Sequence, residues 1–345
     1  MRVAITVTAD GGHWPDVVDY VVEAERLGAA VCWTAEAWGS DAATPLAYLA
    51  ARTERIQLAS GIMQLGARTP AMTAMTALTL ARISGNRFIL GLGASGPQVM
   101  EGLHGIPFAH PLGRMRETIE IVRRAFAGER VAYEGRHFRL PLPDGQGKAL
   151  RLSQPANPDI PIYLATLSPK MLELTGELAD GWVGTSFVPE AAASYLDPIA
   201  AGAARAGKSL ADIDICQGAE VAFGDDVEAM VERRKPGLAF SLGGMGSATT
   251  NFYNDAYSRQ GFADVAAEVQ RLWVEGKRDE AARRVPDEMV LATTLIGTED
   301  MVRDRLRVWR DAGVTTARFY PAGSSLDERL ATLARAIEMV TTLRV

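Results

Sequence analysis

A carboxylate stands between two indoles in Trp33-Thr34-Ala35-Glu36-Ala37-Trp38, at the end of a short apolar run. Burial against aromatic rings would raise its pKa and suit Glu36 to proton transfer. A pairing with an arginine such as Arg68 is the equal alternative. A second constellation is Gly91-Leu92-Gly93-Ala94-Ser95-Gly96, which follows a strand pattern. Glycines and a serine at a strand end let backbone amides approach an anion. The spacing matches the G-x-G-x-x-G of dinucleotide-binding units, but that reading needs a helix at once and then a second strand ending in an acid. Here Pro97 follows, the next plain helical pattern is Leu112 to Phe126, and the motif comes after the fourth strand pattern rather than the first. A tight strand-to-helix turn without a ligand is the alternative.

Other chemistries lack their residues. The four histidines, His13, His104, His110 and His137, form no HxH, DxH or HExxH pattern, so no metal is expected. No G-x-S-x-G nucleophile elbow is present. None of Lys148, Lys170, Lys208, Lys235 and Lys277 lies in a strand pattern, which argues against Schiff-base chemistry. Arg68, Arg82, Arg87, Arg114 and Arg116 are candidates for phosphate contact or for carboxylate pairing. Gly243-Gly244-Met245-Gly246 precedes Thr249-Thr250-Asn251-Phe252-Tyr253-Asn254. Glycines beside aromatic anchors suit a mobile lid; a packed helix start is the alternative.

The elements that must position these residues alternate. Strand patterns fall at Val3–Val7, Ala30–Thr34, Ile56–Ile62, Phe88–Gly93, Ile160–Ala165, Trp182–Thr185, Ile213–Phe223 and Val314–Tyr320. Helical patterns separate them, with Gly28 and Gly313 at helix ends, Thr69-Pro70 and Pro45 at helix starts, and Thr298 as an N-cap. Eight strands alternating with helices predict an α/β fold, a (β/α)8 TIM barrel, with a doubly wound sheet as the alternative. Val131 to Leu140 reads as a hairpin around Glu134-Gly135. Residues 225–288 read as a helical insertion before the last strand, over the barrel mouth, where active sites lie. The whole chain, 1–345, is expected to be one barrel domain.

With 345 residues, 48% hydrophobic and 23% charged, the chain has globular composition. Its net charge of −6 argues against a nucleic-acid partner. No apolar run approaches the roughly 18 residues of a membrane span. Cys32 and Cys216 imply no disulfide framework, and a cytoplasmic setting is expected.

The chain resembles the luciferase-like monooxygenase superfamily, in the branch that uses the deazaflavin coenzyme F420. Ser84-Gly85-Asn86-Arg87-Phe88-Ile89-Leu90-Gly91-Leu92-Gly93 resembles the family's S-G-G-R-F-x-L-G-L-G, with Asn86 for one glycine. Ser95-Gly96-Pro97-Gln98-Val99 and Glu101 resemble the S-G-P-Q-V-x-E segment of an F420-linked subgroup. Pro161 to Ala165, Ser168-Pro169-Lys170-Met171, Ala179 to Trp182 and Asn251 to Asn254 match in order and spacing. The resemblance implies a barrel with an insertion before its last strand, a homodimer, and a deazaflavin across the C-terminal mouth. It implies a non-prolyl cis peptide at Gly61-Ile62 against the back of the ring. It places the phosphate tail at Ser95, Gly96, Pro97, Gln98 and Val99, facing a turn of Thr166, Leu167, Ser168 and Lys170. Thr185 and Ser186 line the same groove. Glu36 is the candidate proton donor or orienting group.

These residues point to an F420-dependent oxidoreductase moving a hydride between the coenzyme and a small organic substrate. An FMN-dependent monooxygenase using oxygen is the nearest alternative, and a non-catalytic flavin-binding barrel is the third. A deazaflavin does the hydride chemistry itself, which accounts for the missing nucleophile, metal and lysine.

Overall fold

The computed structural model describes residues 1–246 and 250–343. Eight parallel strands form the barrel: β1 (Arg2–Val7), β2 (Val31–Thr34), β3 (Gln57–Ser60), β4 (Phe88–Gly93), β5 (Ile162–Ala165), β6 (Gly181–Gly184), β7 (Asp214–Phe223) and β8 (Thr316–Pro321). Each pairs with its neighbour in chain order, β7 pairs with both β6 and β8, and β8 pairs with β1, which closes the sheet. The barrel expectation holds, and the doubly wound alternative falls with the closure.

The surrounding helices are α1 (Trp14–Leu27), α2 (Ala43–Ala50), α3 (Pro70–Ile83), α4 (Pro111–Phe126), α5 (Pro169–Leu178), α6 (Ala193–Arg205), α7 (Glu299–Asp311) and α8 (Leu326–Thr342). Local chemistry sets several ends. Thr69 caps α3 by accepting the Met72 amide, with Pro70 at the first helical position. Thr298 caps α7 by accepting the Met301 amide. Gly28 ends α1 at φ 105°, a left-handed conformation that glycine adopts without steric cost. Pro45 does not open α2: the helix starts at Ala43, because the Asp41 carboxylate accepts the amides of Ala43 and Thr44 at 2.8 Å each. The expected hairpin forms, with Tyr133–Glu134 antiparallel to Arg139–Leu140.

Strand alternation gives the barrel two cores. Val3, Ile5 and Val7 of β1 point outward to the helices, while Ala4 points into the lumen with Trp33, Ala59, Ile89, Tyr163, Val183 and Cys216. The lumen's N-terminal end is closed by Arg2, which donates to Asp214 at 2.7 Å and to Gln57 at 3.0 Å. Between β7 and β8, among the described residues, six short α-helices run from Val227–Glu232 to Asp287–Thr293 and have a core of their own around Leu242, Val269, Leu272 and Met289. A three-residue strand, Leu295–Gly297, then pairs with the end of β7. It is too short to register as an apolar run beside the helical pattern before it.

Helices α5 and α6 meet backbone to backbone. A Cβ on Gly176 would lie 1.9 Å from the Ile199 carbonyl oxygen, and one on Gly202 would lie 1.9 Å from that of Glu173. No helix among the described residues is long and apolar enough to cross a membrane. Cys32 and Cys216 are buried and unbridged, and burial pushes the Cys216 thiol up to about 12.

Candidate active site

The strand ends at the C-terminal mouth and the insertion enclose a cavity of about 490 Å3. Its floor includes Gly61 and Ile62, joined by a non-prolyl cis peptide as the resemblance implied. A Cβ on Gly61 would press on the Trp33 ring at 2.8 Å, and one on Gly93 would press on Ile62 at 2.8 Å. Only glycine fits at either position. Ala165, Thr166 and Leu167 beyond β5, with Val183 and Thr185 at β6, continue the wall.

The turn after β4 supplies Ser95, Gly96, Pro97, Gln98 and Val99 to the same cavity. Ser95 is left-handed at φ 61°. Among the described residues no protein acceptor takes the Ser95 or Gly96 amide, whereas the Val99 and Met100 amides donate to the Gly96 carbonyl. The chain then forms a π-helical turn, Gln98–Leu103, not the long helix of a dinucleotide fold. Across from it Ser168 stands at the N-cap of α5, but its hydroxyl makes no cap bond. Two free amides, a free hydroxyl and the positive end of a helix suit a phosphate. These features fit the tail of a phosphate-bearing flavin or deazaflavin, and the apolar floor fits its ring.

Two expected residues lie elsewhere. Lys170 follows the turn into α5, where its ammonium faces solvent and donates to Glu173 one turn on at 2.9 Å. Ser186 is buried behind the wall at φ 55°, its carbonyl accepting from the Gln260 amide at 2.6 Å and the Tyr195 hydroxyl at 3.1 Å. The arginines do not reach the cavity either. Arg87 ties the Ser84, Thr53, Ile56 and Ala50 carbonyls and hydroxyl groups together, and Arg116 pairs with Glu177. Trp33 and Trp182 are fully buried beneath the mouth, whereas Trp38 lines the cavity.

Glu36 lines the cavity and is 8% exposed. Its Oε1 accepts from the Arg68 guanidinium and from the Gln64 amide at 2.9 Å, and its Oε2 accepts from the Ala42 amide at 3.1 Å. The arginine pairing is therefore present, and every contact of this carboxyl group is with a donor. The insertion contributes Phe240, Gly244–Gly246, Thr250, Phe252 and Tyr253. Here the packed helix start is what the structure describes: Asn251 caps Phe252–Tyr257 by accepting the Tyr253 and Asn254 amides. Thr249 lies outside the described residues. Burial holds the Tyr253 phenol above its ordinary value, so it remains an O–H donor at neutral pH. Phe108 and Pro111 also line the cavity. Sequence reasoning missed both: an aromatic in an irregular loop carries no periodic signal, and Pro111, the first residue of α4, reads only as a helix start.

Fold and site together define a (β/α)8 barrel enzyme with a phosphate-suited turn at its mouth. The profile of the luciferase-like monooxygenase family matches residues 1–316, and the chain belongs to that family, among enzymes of oxidation and reduction. It is 46% identical over 317 residues to a Mycobacterium tuberculosis protein provisionally named a coenzyme F420-dependent oxidoreductase, covering 88% of this chain and 91% of the relative. It is 31% identical over 297 residues to a 5,10-methylenetetrahydromethanopterin reductase of Archaeoglobus fulgidus, covering 86% of each. The F420-dependent tetrahydromethanopterin reductase structure from Methanopyrus kandleri superposes with a TM-score of 0.79 at 23% identity, over 96% of this chain and 97% of that one.

Proposed function

We propose that this protein is an F420-dependent oxidoreductase that moves a hydride between the deazaflavin and a small unsaturated or carbonyl substrate. The observation that carries the reading is the pair of open amides at Ser95 and Gly96 facing the free Ser168 hydroxyl, beside a flat floor at Gly61-Ile62. The similarity to a relative provisionally named as F420-dependent, over most of both chains, supports F420 over FMN. When bound, the deazaflavin supplies the hydride chemistry, and the protein binds, orients and excludes water. Glu36, held by Arg68 and two amides, orients the groups at the end of β2. Tyr253 offers a phenolic proton at the cavity wall, where Glu36 accepts hydrogen bonds. The reading includes one barrel domain over 1–345, with residues 225–288 as the insertion at its mouth. It also includes a homodimer, supported by the exposed apolar face of Tyr48, Met72, Met75 and Ile83 on α2 and α3.

A paired titration with F420 and FMN tests it. The reading expects binding to F420 at least tenfold tighter than to FMN, followed by turnover of enones or imines with reduced coenzyme. Preference for FMN with oxygen uptake would move the protein to the monooxygenase alternative, and binding without any turnover would favour the carrier.

A further inference from the structure

Two asparagines fix the wall that the insertion gives to the cavity. Asn251 is buried, caps the helix Phe252–Tyr257 with its side-chain oxygen, and donates its side-chain amide to the Leu242 carbonyl at 2.8 Å. Asn254 is also buried and donates to the Leu242 carbonyl at 3.0 Å and to that of Ala266 at 2.7 Å. These bonds stay inside the insertion, and neither asparagine lines the cavity. The two residues held between them, Phe252 and Tyr253, do line it. The Phe252 ring meets that of Phe108 at 6.1 Å. Tyr253 stands close enough to Tyr320, at the end of β8, for the two phenols to interact electrostatically. The Tyr253 phenol therefore lies over the barrel mouth, not on the outer face of the insertion.

Among the described residues the Tyr253 hydroxyl has no hydrogen-bond partner, and its oxygen is not sealed off from the cavity. The other polar groups at the cavity are placed differently. Glu36 only accepts hydrogen bonds. The Thr166 hydroxyl is matched with that of Thr175 at 2.8 Å. Ser95 and Ser168 flank the phosphate-suited turn. No histidine, lysine or arginine among the described residues lines the cavity. The Thr185 alcohol is a far weaker acid than a phenol. Burial holds the Tyr253 proton in place at neutral pH until an acceptor becomes basic.

Hydride addition to a ketone, an aldehyde or a conjugated enone leaves negative charge on oxygen, which a placed donor must meet. We infer that Tyr253 donates a hydrogen bond to the carbonyl oxygen of the substrate and gives up its proton there, so that the enzyme reduces a carbonyl compound held with its oxygen toward the insertion. The hydride brings the electron pair of the new C–H bond. The displaced π pair moves onto oxygen, and the phenol proton completes the alcohol or the enol. Water then returns a proton to the phenolate. This inference rests on the cavity being the substrate and coenzyme site.

The test uses para-dimethylaminocinnamaldehyde, a push–pull enal whose absorption moves to longer wavelength when its carbonyl oxygen receives a hydrogen bond. Difference spectra are recorded with the wild type and Y253F, with and without oxidised F420 in both beams. The wild type is expected to shift the bound dye to the red. Y253F removes a hydroxyl that bonds no described residue, so it should keep the wild-type Tm. It should still bind the dye, about tenfold more weakly at most, and lose the red shift. A merely structural Tyr253 would change how much dye binds and leave the band of the bound dye where it was. With reduced F420 and the dye as substrate, kcat of Y253F should fall at least about tenfold while F420 affinity stays within about twofold. No red shift in the wild type, an equal shift in Y253F, or an unchanged kcat in Y253F would each overturn the assignment. F420 titration of the same proteins separates the two readings. A Tyr253-dependent red shift in a protein that does not bind F420 sinks the coenzyme reading alone. F420 affinity falling in Y253F with the red shift intact gives the phenol to the coenzyme and sinks this inference alone.

Discussion

Glu36 and Arg68, 32 residues apart in sequence, are joined by a hydrogen-bonded ion pair at the wall of the cavity. The same carboxylate also accepts the amides of Ala42 and Gln64, so it ties the end of β2 to the start of α2 and to the segment after β3. Replacing Glu36 with Ala leaves two amides without their acceptor and a half-buried guanidinium with only Asp41, at 4.0 Å, as a partner. A loss of about 1–3 kcal/mol in urea denaturation is expected. E36Q keeps the shape and should lose less stability, while kcat/KM with reduced F420 falls more than tenfold at unchanged coenzyme affinity. Full turnover by E36Q would remove Glu36 from the reaction.

The turn after β4 offers a sharper test of the phosphate position. Ser95→Asp or Gly96→Glu brings a negative charge to two open amides. Each should weaken F420 binding at least tenfold, about 1.4 kcal/mol, by repulsion of the phosphate. Tm should stay near the wild-type value, because a Cβ on Gly96 meets nothing within 4 Å. Unchanged affinity would place the phosphate elsewhere.

Glu117 of α4 predicts an acid-sensitive hairpin. Burial works to raise its pKa, but the amides of His137, Phe138 and Arg136 outweigh it and hold the carboxyl below its ordinary value. A lowered folded pKa adds stability above the unfolded value near 4.5, and that contribution is lost as pH falls through the folded value. E117Q should therefore be less stable than the wild type at pH 7. The gap should narrow as the pH drops below about 4.5. A gap that stays constant to pH 3 would show that the three amides do not stabilise the charged form.

The seam between α5 and α6 sets a limit on side-chain size. A methyl group on Gly202 would meet the Glu173 backbone, which has no rotamer to yield. G202A should cost at least about 2 kcal/mol. A Tm equal to that of the wild type would mean that the two helices separate freely.

Legibility in the sequence followed the range of the interactions. The bounds of α3 could be read because Thr69, Pro70 and the helical period all lie within one segment. The barrel could be read because each strand is an apolar run followed by an amphipathic helix. The cavity turn was visible through its glycines and Ser95. What was hidden was which local or long-range contact wins. Lys170 and Glu173 have the i, i+3 spacing of a helical ion pair, and that pairing prevails over the phosphate role the resemblance implies. The start of α2 looked like Pro45 because Asp41 caps from a position that periodicity does not mark. Arg318 lies within the Val314–Tyr320 strand pattern, and only closure of the barrel sets it 6.0 Å from the Trp33 ring.

The interlocked glycines of α5 and α6 also decide where the cavity can give. Ser168 begins the helix that carries Gly176, so the wall it forms is anchored to the barrel through main-chain contact. The opposite wall, Phe240, Phe252 and Tyr253, hangs from helices that pack chiefly on one another. Compliance at the mouth is therefore one-sided. A bulkier ligand is expected to make room along the Phe252 side, where that ring stands 6.1 Å from Phe108.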